Sequence, residues 1–126
     1  GSDVSREAIE IARANVNAVA LDGVASRWVC GDFRDALTGA GAELSPGRVT
    51  LVISNPPMGR RVRIPDMRAL YETFFAVAAR ALAPGGRLVF PNPLRLAPKD
   101  PSLRLEFRQA VDLGGFTCHL EKYRKY

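Results

Sequence analysis

Asn55, Pro56 and Pro57 close a run of apolar and small residues, Leu51-Val52-Ile53-Ser54, and Met58 and Gly59 follow. Such a run, bounded by turn formers, predicts a buried strand. Two prolines cannot continue a sheet, so the strand stops at Asn55. A residue before proline is driven toward extended backbone, which places Asn55 at the tip of a rigid loop. The loop lies at the carboxyl end of the strand, where ligands bind in open α/β sheets. The chemistry available there is specific. The side-chain carbonyl of Asn55 and the backbone carbonyl of Pro56 can both accept hydrogen bonds. Two acceptors on a stiff turn can grip the hydrogens of an –NH2 group and aim its nitrogen lone pair at an electrophile, which is catalysis by positioning and electrostatics. The plain alternative is a Pro-Pro turn that only ends a strand.

The elements that must carry this turn alternate in type. Ser5 can cap a helix with Glu7 in its first turn. Ala8, Ile11, Ala12, Val16 and Val19 then form one apolar face, and Asp22-Gly23 ends the helix. Trp28-Val29-Cys30 reads as a short buried strand stopped by Gly31-Asp32, and residues 35–47 read as a weak helix followed by a loop. After the strand leading to Asn55, Asp66 can cap a helix with Leu70, Phe74, Val77, Ala78 and Ala81 along one side. Pro84-Gly85-Gly86 ends it, and Arg87-Leu88-Val89-Phe90 is another buried strand. Asp100-Pro101 offers an N-cap with proline at the first helical position, predicting a helix over residues 100–113. Gly114-Gly115 breaks it, and residues 116–122 read as a final strand. Strands separated by helices predict an α/β fold, a parallel sheet with helices on both faces.

Composition sets wide bounds. A chain of 126 residues fits one domain. No run is long and apolar enough for a membrane span, and the first residues lack the basic-plus-apolar pattern of a signal peptide. Cys30 and Cys118 stand far apart, with no CxxC spacing and a single histidine, His119. That argues against a zinc site and for reduced thiols in a cytosolic protein. The net charge of +5 favours a polyanionic partner such as RNA. Trp28, Tyr71 and His119 read as packing residues. Arg95, Lys99, Arg104, Arg108, Lys122, Arg124 and Lys125 read as scattered surface charge.

Asn55-Pro56-Pro57 resembles the signature of the class I S-adenosylmethionine-dependent amino-methyltransferases, Asn/Asp-Pro-Pro followed by an aromatic. The continuation Gly59-Arg60-Arg61-Val62 resembles the RNA guanine methyltransferases that often carry a THUMP RNA-binding domain and methylate the exocyclic N2 of guanine. Met58 departs from that pattern, since the family usually has Tyr or Phe there to stack on the target base. Methionine offers a soft apolar contact but stacks more weakly than an aromatic ring. Leu82-Ala83-Pro84-Gly85-Gly86-Arg87-Leu88-Val89 is similar to the family's Leu-x-Pro-Gly-Gly-x-Leu-Val turn, whose glycines allow a positive φ and a tight start to the strand. Gly1-Ser2-Asp3 resembles the end of the family's second strand, where an acid binds the cofactor's ribose hydroxyls. Gly31-Asp32-Phe33 resembles the end of the third, where Asp accepts from the adenine amine and the next residue flanks the ring. The bland readings are a residue at a helix start for Asp3 and a strand-ending turn for Asp32.

The resemblance implies a partial Rossmann-like, three-layer sandwich with a mostly parallel sheet. It lacks the first strand, with the Gly-rich loop that approaches the cofactor's methionine portion, and the seventh, an antiparallel strand looked for after Tyr123-Arg124-Lys125-Tyr126. Gly39-Ala40-Gly41 follows no strand and does not replace that loop. Residues 1–126 would then be the C-terminal two-thirds of one methyltransferase domain. Such a chain is expected to be inactive alone and to self-associate through the strand edge that the first strand would cover. The implied cofactor is S-adenosyl-L-methionine and the implied substrate is rRNA or tRNA. Asn55, Pro56, Pro57 and Met58 would serve catalysis, and Asp3, Asp32 and Phe33 the cofactor. Arg60, Arg61 and Arg63 follow the turn where RNA phosphates would pass, or form a solvated loop. The same Asn-Pro-Pro turn serves DNA adenine and protein glutamine-amide methylation, and Met58 keeps open a non-catalytic RNA-binding or scaffolding relative.

Overall fold

The computed structural model describes residues 1–19, 23–38, 44–59 and 63–126, in two compact units, Gly1–Glu43 and Leu44–Tyr126. In the first unit, strand β1 (Ser2–Asp3) pairs in parallel with β2 (Val29–Cys30), and helix α1 (Arg6–Ala18) lies between them in sequence. The Ser5 side chain accepts from the Ala8 N–H, as a cap must. No residue of α1 is buried. The buried strand expected at Trp28-Val29-Cys30 is instead half-buried at Val29 and exposed at Cys30. It belongs to a ladder of two short strands, with too few neighbours to cover it. Of residues 35–47, where a weak helix is expected, the described ones hold only the end of a 3-10 turn, Phe33–Asp35, and residues 39–43 lie outside the described residues.

The second unit holds β3 (Val49–Ile53), α2 (Met67–Ala81), β4 (Leu82–Asn92), β5 (Leu103–Asp112) and β6 (Thr117–Lys125). Its sheet runs β3-β4-β6-β5. β3 and β4 are parallel, and β6 is antiparallel to both its neighbours. Asp66 caps α2 by accepting from the Ala69 N–H at 2.9 Å. The helix buries Tyr71, Phe74, Phe75, Ala78, Ala79 and Ala81. Phe90 is the hub of this packing, with ring centroids 5.2 Å from Phe74, 5.3 Å from Phe75 and 6.0 Å from Tyr71. Tyr123 meets Phe75 at 5.2 Å from the adjoining strand. Edge-to-face pairs of this kind add to what burial of the rings contributes.

β4 begins directly after α2, so Pro84-Gly85-Gly86 is a bulge inside the strand rather than a separate turn before it. Gly85 has φ 79°, and a Cβ on Gly86 would lie 2.8 Å from the Ala83 carbonyl oxygen and 3.1 Å from that of Val49. Both glycines are therefore needed for backbone reasons.

The helix predicted over residues 100–113 is a strand. Asp100 does accept locally, from the N–H and the hydroxyl of Ser102, but the chain then enters β5. Leu103 pairs with Lys125 and Asp112 with Thr117 across a hairpin. Gly114 and Gly115 turn that hairpin with φ 76° and 78°. Without β5, β6 would show an unpaired ladder to water, and this long-range pairing overrides the local helix signal. Residues Tyr123–Lys125 lie inside the antiparallel strand β6.

β3 is an edge strand. It was expected to be buried, yet Leu51 is 43% and Ile53 71% exposed. They pair with Arg87 and Val89, on the sheet face opposite Leu88 and Phe90, which α2 covers.

Candidate active site

In the second unit the parallel strands β3 and β4 point their carboxyl ends the same way, and the Asn55 turn leaves β3 at that end. The Ser54 N–H still donates to the Val89 carbonyl at 3.2 Å. The ladder stops at Asn55, where the prolines begin. Asn55 and Pro57 are exposed, whereas Pro56 and Met58 are half-buried. Gly59 follows with φ 78°, a conformation that favours glycine. Asn55 thus places an exposed amide just past a strand end, next to a proline whose backbone carbonyl is a second acceptor.

The sequence missed one support of this turn. The Tyr71 hydroxyl, from the buried face of α2, lies 3.4 Å from the Pro57 carbonyl oxygen and donates to it. Desolvation holds the Tyr71 phenol far above its ordinary pKa, so it is a donor at all physiological pH. The available signal was a tyrosine on an apolar helix face, where a buried hydroxyl must find an acceptor.

In the first unit, β1 and β2 bring Asp3 and Asp32 to the same carboxyl end. Asp3 pairs with Cys30, and the Gly31 N–H donates to the Asp3 carbonyl at 2.9 Å. Asp3 Oδ1 accepts from the Ser5 N–H at 2.8 Å, so it does shape the start of α1. Asp32 is more heavily engaged. It caps the 3-10 turn through the Arg34 N–H at 2.9 Å, and the Arg34 guanidinium bridges both carboxylate oxygens. The Arg34 side-chain hydrogen bond is the main reason its carboxyl is held below the ordinary range. Arg34 is 61% exposed, so water can replace this contact at little cost. Phe33 is half-buried next to Asp32.

Of the basic residues expected near RNA, Arg63 is exposed, and Arg60 and Arg61 lie outside the described residues. Several other cations are satisfied within the second unit. Lys99 pairs with Glu72 at 2.7 Å, and Lys122 and Arg124 both pair with Glu106. Arg95 lies against His119, with Nη2 2.9 Å from the ring Nε2. Both cysteines are free thiols. No helix among the described residues is long and apolar enough to cross a membrane.

Parallel strand pairs with polar side chains at their carboxyl ends define an open α/β ligand-binding fold of the Rossmann-like type. The chain belongs to the methyltransferase small domain family, whose model matches residues 1–113. Among solved structures it is similar to TrmN from Thermus thermophilus, at 25% identity and TM-score 0.75, over 99% of this chain and 35% of that one. It is also similar to magnesium protoporphyrin IX methyltransferase (ChlM) from Synechocystis PCC 6803 with bound SAM, at 14% identity and TM-score 0.68, over 100% of this chain and 58% of that one. A third is the N-methyltransferase NodS from Bradyrhizobium japonicum WM9 in complex with S-adenosyl-L-homocysteine, at 19% identity and TM-score 0.61, over 98% and 64%. The last two likenesses concern the fold. The chain spans about a third of the Thermus protein's length. No curated protein matches it significantly.

Proposed function

We propose that this chain is part of an enzyme that transfers a methyl group from S-adenosyl-L-methionine to an exocyclic amine of a nucleobase, guanine N2 in rRNA or tRNA. The observation that carries the reading is the exposed Asn55-Pro56-Pro57 turn at the carboxyl end of β3 in a methyltransferase-family chain. When bound, the cofactor supplies a sulfonium methyl, an electrophile that needs no metal. Asn55 Oδ1 and the Pro56 carbonyl accept from the two amine hydrogens and orient the nitrogen lone pair. Asp3 suits the ribose diol, because a carboxylate accepts from both hydroxyls. Asp32 would accept from the adenine amine of the bound cofactor in place of Arg34, and Phe33 would flank the adenine ring. Met58 contacts the target base, and Arg60, Arg61 and Arg63 meet RNA phosphates. A reduced, cytosolic setting suits the two free thiols.

Met58 gives the test. In the full-length protein that carries this chain, Met58→Tyr is expected to preserve or tighten binding of a guanine-containing RNA, by restoring a stacking ring. Met58→Asp is expected to weaken it by about tenfold or more, since it sets a charge against an apolar base face. Fluorescence anisotropy with a labelled RNA reads both. An affinity indifferent to both changes removes Met58 from the base site.

We also infer that the chain as it stands pairs with itself through the edge of β3. Leu51 and Ile53 lie exposed beside an open ladder, the template for strand addition. Light scattering is expected to show dimers or larger species, and Ile53→Lys to shift them toward monomer. A monomer at every concentration in the unsubstituted chain is the contrary result.

A further inference from the structure

The turn from Asn55 to Met58 is nearly without torsional freedom, and the reason lies residue by residue in its sequence. Asn55 and Pro56 each precede a proline, which confines their ψ to extended values. Pro56 and Pro57 have φ fixed by their rings. Within the proline pair the torsion left open is ψ of Pro57, because the residue after it is Met58. That torsion sets where the Pro57 carbonyl points and where the chain carries Met58. The Tyr71 hydroxyl donates to this carbonyl oxygen, at 3.4 Å.

Tyr71 is itself held firmly. It is fully buried, on the face of α2 that packs against Phe90. Among the described residues the Pro57 carbonyl is the one hydrogen-bond acceptor of its hydroxyl. A buried hydroxyl without an acceptor is costly, so the bond constrains both partners.

We propose that Tyr71 is a positioning residue, whose hydroxyl restrains the one torsion left open in the Pro56-Pro57 pair, ψ of Pro57, and thereby sets where Met58 meets the substrate base. The proposal rests on the methyltransferase reading for its consequence, but the lock itself is testable without turnover. Tyr71 touches neither the amine nor the cofactor in this scheme. It acts through the backbone.

The chain has two methionines, Met58 in the turn and Met67 at the start of α2. Labelling their methyl groups with 13C gives a probe of each. In Tyr71→Phe, which keeps the ring against Phe90 and removes only the hydroxyl, the Met58 methyl is expected to lose order, with the unfolding midpoint close to that of the parent. Arg108→Ala is the opposite control. It takes the partner from buried Glu121 and leaves Tyr71 and its contact with Phe90 in place, so the midpoint should fall while the Met58 signal stays. A Met58 methyl unmoved by Tyr71→Phe, or disordered equally by Arg108→Ala, overturns the proposal. In the full-length protein, Tyr71→Phe is expected to lower kcat by about tenfold or more through misplacement of the turn, with KM for the cofactor unchanged. A parent protein that transfers no methyl group to any RNA sinks the enzyme reading, and the Met58 readout still decides the lock.

Discussion

Asn55→Ala, made in the full-length protein that carries this chain, is expected to lower methyl transfer by about 10²–10³-fold, the loss seen when one preorganised polar group leaves a reacting centre. The expectation follows from where Asn55 sits. Its amide is exposed at the end of β3, after the last ladder hydrogen bond of that strand. It supports no part of the core, so the stability change should stay within about 0.5 kcal/mol, as for other surface sites. It is also separate in role from Asp3 and Asp32, the residues assigned to the cofactor. Calorimetry should therefore find cofactor affinity nearly intact while a tritium-transfer assay finds turnover lost. The paired readout separates three outcomes. Lost turnover with intact binding supports the amine grip. Lost binding would place Asn55 at the cofactor. Retained turnover would make the Asn-Pro-Pro segment a plain strand-ending turn.

The strand and its end at Asn55 were legible in the sequence because the backbone chemistry of the turn is local. Proline fixes its own φ and restricts its predecessor, so Leu51 to Pro57 declares both a strand and its end without any knowledge of the fold. Helix caps are equally local, and Ser5 and Asp66 each cap the helix expected of them. Gly85 and Gly86 likewise show the positive φ and the tight approach that their motif implies.

What was not legible depended on partners distant in sequence. Asp100-Pro101 carries a true local turn, yet β5 follows because β6 supplies a ladder. The alternation of Leu103, Leu105 and Phe107 was the period-two signal that competed with the helix start. The exposure of Leu51 and Ile53 could not be read from their side chains, since an apolar run looks the same at the centre of a sheet and at its edge. Nor could the sequence show Arg34 clasping Asp32, or Tyr71 reaching the Pro57 carbonyl fourteen residues back. The acids at the strand ends were identifiable by type, and what holds them required geometry.

The residue least foreseen is Glu121, a fully buried carboxylate in the middle of β6. Three donors converge on it. Arg108 Nε approaches Oε1 at 2.7 Å, while Asn92 Nδ2 at 2.8 Å and the Tyr123 hydroxyl at 2.6 Å reach Oε2. Asn92 Nδ2 also donates to the Leu96 carbonyl at 2.8 Å, which ties the segment after β4 to the same network. Arg108→Ala should therefore be destabilising, because it leaves a buried carboxylate facing two neutral donors. The Arg108 side chain is 40% exposed, so water can partly take its place and the loss is smaller than for a fully buried pair. Urea unfolding followed by circular dichroism measures it as a lower midpoint at unchanged slope. Adding Glu121→Leu to Arg108→Leu should recover much of the loss, since packed apolar residues can replace a buried ion pair at little net cost. If Arg108→Ala leaves the urea midpoint where it is in the parent chain, then Arg108 contributes as a surface cation and the two neutral donors alone satisfy Glu121.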